Sequence, residues 1–406
     1  TVHEKPPRRS ADTNVVTFAN VSGAQLTLLS NETVQSISGG GVTGGNISLG
    51  GNTLTLGGPA GETYSGAISG VGGVLTKNGA GTLTLAGASN YTGQTNLNSG
   101  KILLNGSLTS NIVVGATGTL GGSGSTTGSV TGASGTVSPG NSPGILSTGN
   151  FGPVGTLVIE VNSNVVGTGY DQVNVTGTVN VTNTVLSTSG TITSSPGQTL
   201  VIVNNDGTDA VTGTFQSLPE GAVVTINGIS FVISYIGGIG GNDITLTQAG
   251  PVTYDATAGN DTLVVRQSLI SGLNYIQIVD NLNNVLQQWL SSTVTTITIN
   301  GLAGDDTLTV DYGGTGGAFT GKKVIFDGGT QTTSDSLITK GGTFTTGKYT
   351  ATGAGAGTFT YDSIVAIQFS NLEPTTDDNV VTNYSIDATA GADQITIANA
   401  AGSRTL

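Results

Sequence analysis

The sequence predicts an all-β chain built as a solenoid of short stacked strands. Three observations predict it. Apolar residues alternate with Thr, Ser and Asn at a period of two, and no stretch shows the helical period. Glycine supplies 67 of 406 residues and clusters between those runs. The 97 residues from Thr63 to Ile159 hold no Asp, Glu or His, and their only charges are Lys77 and Lys101. Acid–base, carboxylate and hard-metal chemistry all need groups that this segment lacks. Charged residues make up 9% of the chain, well under the roughly 25% of an ordinary soluble domain. The abundance of Val, Ile, Leu and Thr favours ordered strands over disorder.

Residues 1–14 read as a flexible arm. They carry Pro6 and Pro7, three of the 11 cations and the only His. Tandem proline blocks both helix and ladder pairing. The arm either frays or adds as a strand to a neighbouring subunit.

Residues 15–153 carry the short strands: 26–28, 47–49, 54–56, 83–85 and 102–104. Glycine-rich turns at 39–41, 44–45, 50–51, 57–58 and 72–73 separate them. Strands this short do not make stable isolated hairpins. Stacked layer on layer, at about 20–25 residues per turn, they share one long thin core.

Within this region the runs Gly73-Val74-Leu75-Thr76-Lys77-Asn78-Gly79-Ala80-Gly81-Thr82-Leu83-Thr84-Leu85, Asn90-Tyr91-Thr92-Gly93-Gln94-Thr95 and Gly100-Lys101-Ile102-Leu103-Leu104-Asn105-Gly106 follow one another in order. Together they resemble the autotransporter-associated β-strand repeat. The resemblance implies a right-handed parallel β-helix on a bacterial surface, often an adhesin passenger. Tyr64-Ser65-Gly66-Ala67-Ile68-Ser69-Gly70 resembles the usual lead-in. The turns at 118–124 and 138–144 resemble those of the same surface proteins, with Pro139 and Pro143 placed in loops.

Residues 154–250 keep β character in longer strands: 157–161, 173–175, 200–203, 223–226, 231–235 and 244–246. They resemble the C-terminal passenger region, where longer hairpins cap the helix and cover its unpaired edge. Residues 251–380 read as a separate acidic β domain, since 14 of the 24 acids lie beyond residue 250. Residues 381–406 read as the start of a further copy. Tyr254-Asp255-Ala256-Thr257-Ala258-Gly259-Asn260-Asp261-Thr262-Leu263 recurs as Ile386-Asp387-Ala388-Thr389-Ala390-Gly391-Ala392-Asp393-Gln394-Ile395. That recurrence predicts a longer parent protein. The absence of any Met predicts a processed or truncated first residue.

A Gly-x-Asp-x-aliphatic pattern at Gly259/Asp261/Leu263, Gly304/Asp306/Leu308 and Gly391/Asp393/Ile395 resembles half of the nonapeptide calcium repeat of secreted toxins. Asp261, Asp305, Asp306, Asp327 and Asp335 are the candidate Ca2+ ligands. The competing reading is an Asx turn feeding a strand. The pairs Asp305/Asp306 and Asp377/Asp378 are poor glycosidase candidates, because adjacent strand residues point to opposite faces. No glycine run leads into a Gly-Lys-Ser/Thr phosphate loop. Trp289 reads as a sugar platform or a buried anchor. The Asn-x-Ser/Thr triplets at Asn31, Asn46, Asn90 and Asn174 read as chance in a Thr-rich chain.

Net charge of −13 argues against nucleic acid and anionic lipid as partners. No apolar run approaches the ~20 residues that a spanning helix needs. The chain has no Cys. It either never needed crosslinks or is exported unfolded, where an early disulfide is a hazard. The expected function is structural or adhesive, with no catalytic residue, at the bacterial surface or secreted. The expected partners are copies of itself or surface glycans. The rivals are a polysaccharide-acting β-helix enzyme and a calcium-dependent surface-layer or fibre module.

Overall fold

The structure is a computed structural model that describes residues 14–270, 272–372, 374–389 and 404–405. The chain is all-β, with parallel sheets of the kind a β-helix contains, and the described residues include no α-helix. It divides into two compact units. The first runs through Ser194 and resumes at Gln198–Gln248, and the second holds Ser195–Gly197 and the chain from Ala249. Of the expected flexible arm, only Asn14 lies among the described residues. The expected boundary at 380/381 falls inside the strand Thr375–Asp387.

Parallel pairing in the first unit follows the alternation directly. In Val74–Lys77, Thr82–Leu85 and Thr53–Leu56, every second side chain is buried. Those side chains stack on their counterparts in the next layer. Leu83 lies opposite Ile102, Ile102 opposite Leu120, Leu120 opposite Val137, and Val137 opposite Leu157. All five are buried in one continuous core. Successive steps along this column are 19, 18, 17 and 20 residues, slightly tighter than the sequence suggested. Burying each such side chain contributes roughly 1.5–3 kcal/mol.

The expected strand 102–104 is the end of a longer one. Thr95–Leu104, Ile112–Gly121 and Phe151–Glu160 each run ten residues. The register shifts at Leu97/Ser99 and again between Val113 and Thr119. These strands turn a corner, where polar and glycine residues break the alternation that reveals their two ends.

A second parallel sheet runs through Ser107–Leu108, Ser125–Thr126, Ile145–Thr148, Gln172–Val175 and Thr199–Asn205. Its last members, Asp243–Gln248, Ile229–Gly237 and Val223–Ile226, pair antiparallel. Parallel layering therefore gives way to hairpins within the expected region 154–250.

Glycine has a positional reason here. Gly45, Gly66, Gly87, Gly106 and Gly124 stack in consecutive layers. A β-carbon on Gly66, Gly87, Gly106 or Gly124 would fall within 3.0 Å of the carbonyl oxygen of the glycine beneath it. The close approach, rather than a turn, excludes a side chain at these positions.

The second unit has its own core, rich in Phe and Tyr. One parallel stack holds Gly250–Asp255, Val294–Asn300, Lys323–Asp327 and Ile364–Ser370. Another holds Thr262–Ile270, Thr307–Asp311, Ser336–Gly353 and Thr375–Asp387. Antiparallel Ala356–Tyr361 joins the two.

Gly87→Ala is expected to destabilise the first unit by roughly 1–3 kcal/mol, through overlap with the layer below. Gly57→Ala meets nothing within 4 Å at ordinary φ and is expected to change stability by at most about 0.5 kcal/mol. Chemical denaturation of both variants checks the difference, and equal losses would disprove the stacking argument.

Candidate functional site

Between the layers of the first unit, polar side chains bond the main chain of the neighbouring layer. The Oδ1 atoms of Asn31, Asn46, Asn105, Asn111 and Asn162 accept the backbone N–H groups of Thr53, Ala67, Ser123, Ser129 and Thr191, at 2.9–3.1 Å. Each acceptor lies one layer from its donor. Asn31 and Asn46 belong to the triplets that read as chance, and here they tie layers together.

The Tyr-Thr-Gly segment works in the same way. Tyr91 is buried, and its hydroxyl lies 2.5 Å from Thr95 Oγ1. Thr95 Oγ1 lies 2.7 Å from Ser110 Oγ, and Thr126 Oγ1 donates to the Ser110 carbonyl at 2.7 Å. Thr95 occupies the core column between Leu75 and Ile112, so an internal chain of hydroxyls satisfies a polar residue in an apolar row.

Lys77 is also inside, between Leu56 and Leu97 of the flanking layers and 3% exposed. Its ammonium donates to the Gly79 carbonyl, and burial lowers its pKa. The sequence marked Lys77 only as a charge in a neutral stretch.

The structure joins some of the aspartates picked from sequence. Thr262, Thr307 and Ser336 lie in register on adjacent strands, which stacks Asp261, Asp306 and Asp335 just before them. The Asp261 N–H donates to Asp306 Oδ1 at 2.8 Å, and the Asp306 N–H donates to Asp335 Oδ1 at 2.7 Å. The two Gly-x-Asp-x-Leu copies are thus neighbours, although 45 residues separate Asp261 from Asp306. Leu263, Leu308 and Leu337 form the buried row beside them.

The other two candidates do different work. Asp305 Oδ1 accepts the N–H groups of Thr332, Thr333 and Ser334, at 2.9, 2.6 and 3.2 Å. Those bonds, the Thr333 amide foremost, hold its carboxyl below the ordinary range. Asp327 Oδ1 accepts from Gly329 N–H and Asn371 Nδ2 in the neighbouring stack. The third motif copy, Gly391/Asp393/Ile395, lies outside the described residues.

Asp306 and Asp335 each keep one buried oxygen, Oδ2, without a hydrogen-bond partner. Burial pushes both carboxyls up. The charges of Asp335, Asp261 and Asp305 add to the effect on Asp306, and those of Asp305 and Asp327 to the effect on Asp335. Calcium takes six to eight oxygens. Gly301 and Gly328 press against the two free oxygens, since a β-carbon on either would lie 2.5 Å away. Among the described residues, no three Asp, Glu, His or Cys side chains gather as a metal-binding set. The geometry is an Asx ladder that bonds one strand to the next.

The second unit also contains a constellation that sequence reasoning missed. Asp377 is fully buried, with Oδ1 accepting both the N–H and the Nδ2 of Asn379 at 3.0 Å. Asn379 Nδ2 reaches Thr339 Oγ1 at 2.8 Å and the Tyr361 hydroxyl at 3.0 Å. Burial pushes the Asp377 carboxyl up. Beside it, Tyr312 stacks on Phe319 and Phe344 on Tyr361, with centroids 4.9 and 4.3 Å apart. These four rings, with Lys322 and Asp362, line a cavity of about 240 Å3. The Lys322 ammonium donates to the Val294 carbonyl, and Asp362 Oδ1 accepts from Thr345 and Thr346 N–H. The aromatic residues lie too far apart in sequence to announce a cluster. Asp377 and Asp378 gave the one signal, and they point apart as adjacent strand residues do. Trp289 is half-buried against the second core, which is the place of an anchor.

Residues 75–104 match the family model described as the passenger-associated-transport-repeat. They run from Leu75 in Val74–Lys77, through Thr82–Leu85, to the end of Thr95–Leu104. The match supports an autotransporter passenger-like repeat protein. The segment holds buried Lys77, the Tyr91–Thr95 hydroxyl pair, and Gly87 of the glycine column. No curated protein matches the chain.

Raised carboxyl pKa values mean that the folded state holds these protons more tightly than the unfolded state does. The stabilisation is complete below the ordinary carboxylate pKa of about 4, and it is lost as pH rises through the raised folded values. Asp335→Asn keeps the Oδ1 acceptor and removes the charge. It is expected to raise the melting temperature at neutral pH and to flatten its fall with pH above that range. Asp335→Ala leaves the Asp306 amide unpaired and is expected to cost roughly 1–3 kcal/mol. Thermal melts from pH 4 to 8 check both, and a lower neutral melting temperature for the Asn variant would refute the buried-charge account. A calcium chelator is expected to leave the melting temperature of the unaltered chain unchanged, and a drop would restore the calcium reading.

Proposed function

We propose that the chain is a non-catalytic scaffold of the bacterial cell surface or its secretions, structural or adhesive in role. In this reading the first unit is a right-handed parallel β-helix whose final antiparallel hairpins form its cap. The helix holds binding surfaces away from the cell or packs against copies of itself. The observation that carries the proposal is the passenger repeat at 75–104, together with the direction in which its polar groups face. Asn, Thr and Tyr side chains close hydrogen bonds between layers and present no nucleophile beside a base. Rows of outward Thr and Ser suit many weak contacts, in which affinity comes from multiplicity.

The rival polysaccharide-acting enzyme requires a carboxylate pair facing across a sugar. Between Thr63 and Ile159 the chain has no carboxylate to supply one. Incubating the purified chain with a panel of bacterial and host glycans distinguishes the two. The expected result is retention of glycan-coated beads without release of reducing ends. Turnover of any glycan would overturn the proposal.

A further inference from the structure

We propose that the strand Val285–Leu290 is a docking edge at which a second copy of this chain adds by antiparallel strand pairing. The strand is the last in the 12-stranded sheet of the second unit, and among the described residues its one strand partner is Leu273–Asp280. Among those residues its outward main-chain edge is therefore unpaired. Val285, Leu286, Gln287 and Gln288 are all exposed.

The two ends of this sheet differ. The strand at the other end, Gly250–Asp255, carries Pro251 and Asp255. Proline and charge are common guards against edge pairing. Val285–Leu290 has neither. From Asn281 to Gly304 the chain contains no charged residue at all. Apolar exposure is concentrated on the ribbon that carries this strand, at both of its ends. Among the described residues of the second unit, eight large hydrophobic side chains are exposed. Five of them, Leu269, Ile270, Leu282, Val285 and Leu286, belong to the antiparallel ribbon that ends in this strand.

The chemistry selects a second copy as the occupant. The chain carries −13 overall, so two copies repel across most of their surfaces. The strand itself brings no like charge to such a meeting, and the nearest charges, Asp280 and Arg266, are held by Asn284 and Asn283 in the turn before it. An identical strand offers the same N–H and C=O groups and the same amide and apolar side chains. A register shift between Ile278 and Val279 bends the start of the strand. Regular pairing is therefore centred on Gln287–Leu290 with Leu286 at its border, and the contact is small, reversible and concentration-dependent.

This inference rests on the scaffold reading only in giving self-association a place, and its failure leaves that reading standing. Sedimentation velocity of the whole chain over a concentration series is the test, with amide hydrogen exchange read at 285–290. The expected result is a dimer that grows with concentration, with slower exchange at those amides. Leu286→Lys is expected to abolish the dimer while leaving the circular dichroism spectrum unchanged. Val380→Lys, which alters an exposed residue on another strand, is expected to leave the dimer intact. A monomer throughout the series would overturn the proposal. So would a dimer that survives Leu286→Lys, or one whose exchange at 285–290 is unchanged.

Discussion

Contact between main chains of successive layers, with no side chain between them, is the constraint on which the first unit depends. The column Gly45–Gly66–Gly87–Gly106–Gly124 shows it most plainly. A parallel ladder fixes neighbouring strands at about 4.8 Å, so wherever the chain turns inward only hydrogen fits. Glycine in a strand ordinarily costs stability through lost conformational freedom. Here the cost is offset by the shared core, in which Leu83, Ile102, Leu120, Val137 and Leu157 bury one another. No single layer closes that core alone, so the local weakness of each short strand and the stability of the stack are two aspects of one arrangement.

The same constraint accounts for the polar composition. Turns between layers leave backbone N–H groups that lack ladder partners, and a short side-chain oxygen one layer away reaches them. Asparagine does this at 31, 46, 105, 111 and 162. Carboxylates serve in the second unit, where Asp306 and Asp335 take the amides of Asp261 and Asp306. The substitution has an electrostatic consequence. An amide acceptor is neutral at every pH, whereas a column of aspartates places like charges in adjacent strands with little water between them. The turns that asparagine closes therefore tolerate pH change, whereas proton sensitivity sits in the aspartate ladder of the second unit and, in the first, at Asp171, which burial pushes up to about 6 while it accepts the Gly144 and Glu160 amides.

Much of this fold was legible in the sequence. Alternation located the short strands around 54–56 and 83–85, because each has one buried and one open face. The corners were not legible. At Asn98–Lys101 the long strand Thr95–Leu104 bends, the period of two fails, and only its ends look like strand. The burial of Lys77 was not legible either, because only the fold shows its ammonium finding the Gly79 carbonyl and its aliphatic stem continuing the row between Leu56 and Leu97. The aspartate column was half legible. Gly-x-Asp-x-Leu flagged Asp261 and Asp306, but 45 residues of intervening chain hid their adjacency, and Asp335 lacks the glycine signature. The cluster of Asp377, Asn379, Thr339 and Tyr361 escaped because three strands supply its members, and the one local signal, the pair Asp377/Asp378, joins residues that point apart.

The two units thus solve one problem with different chemistry, and the difference bears on what each can do. In the first, side-chain hydroxyls and amides engage one another and the main chain, so the molecule meets its surroundings through rows of small polar groups. The second combines a Phe- and Tyr-rich core with buried carboxylates and an open, uncharged edge. An open edge is a liability in a protein that must remain single, and proline and charge, two of the usual guards, stand at the opposite end of the same sheet, while this end has only the register shift at its start. Their absence along Val285–Leu290 cannot be traced to the needs of the core, since the exposed faces of Val285 and Leu286 contribute nothing to it. Polar replacements there would leave the fold intact. An apolar, chargeless strand kept at such a place is better explained by what approaches it from outside than by what lies beneath it.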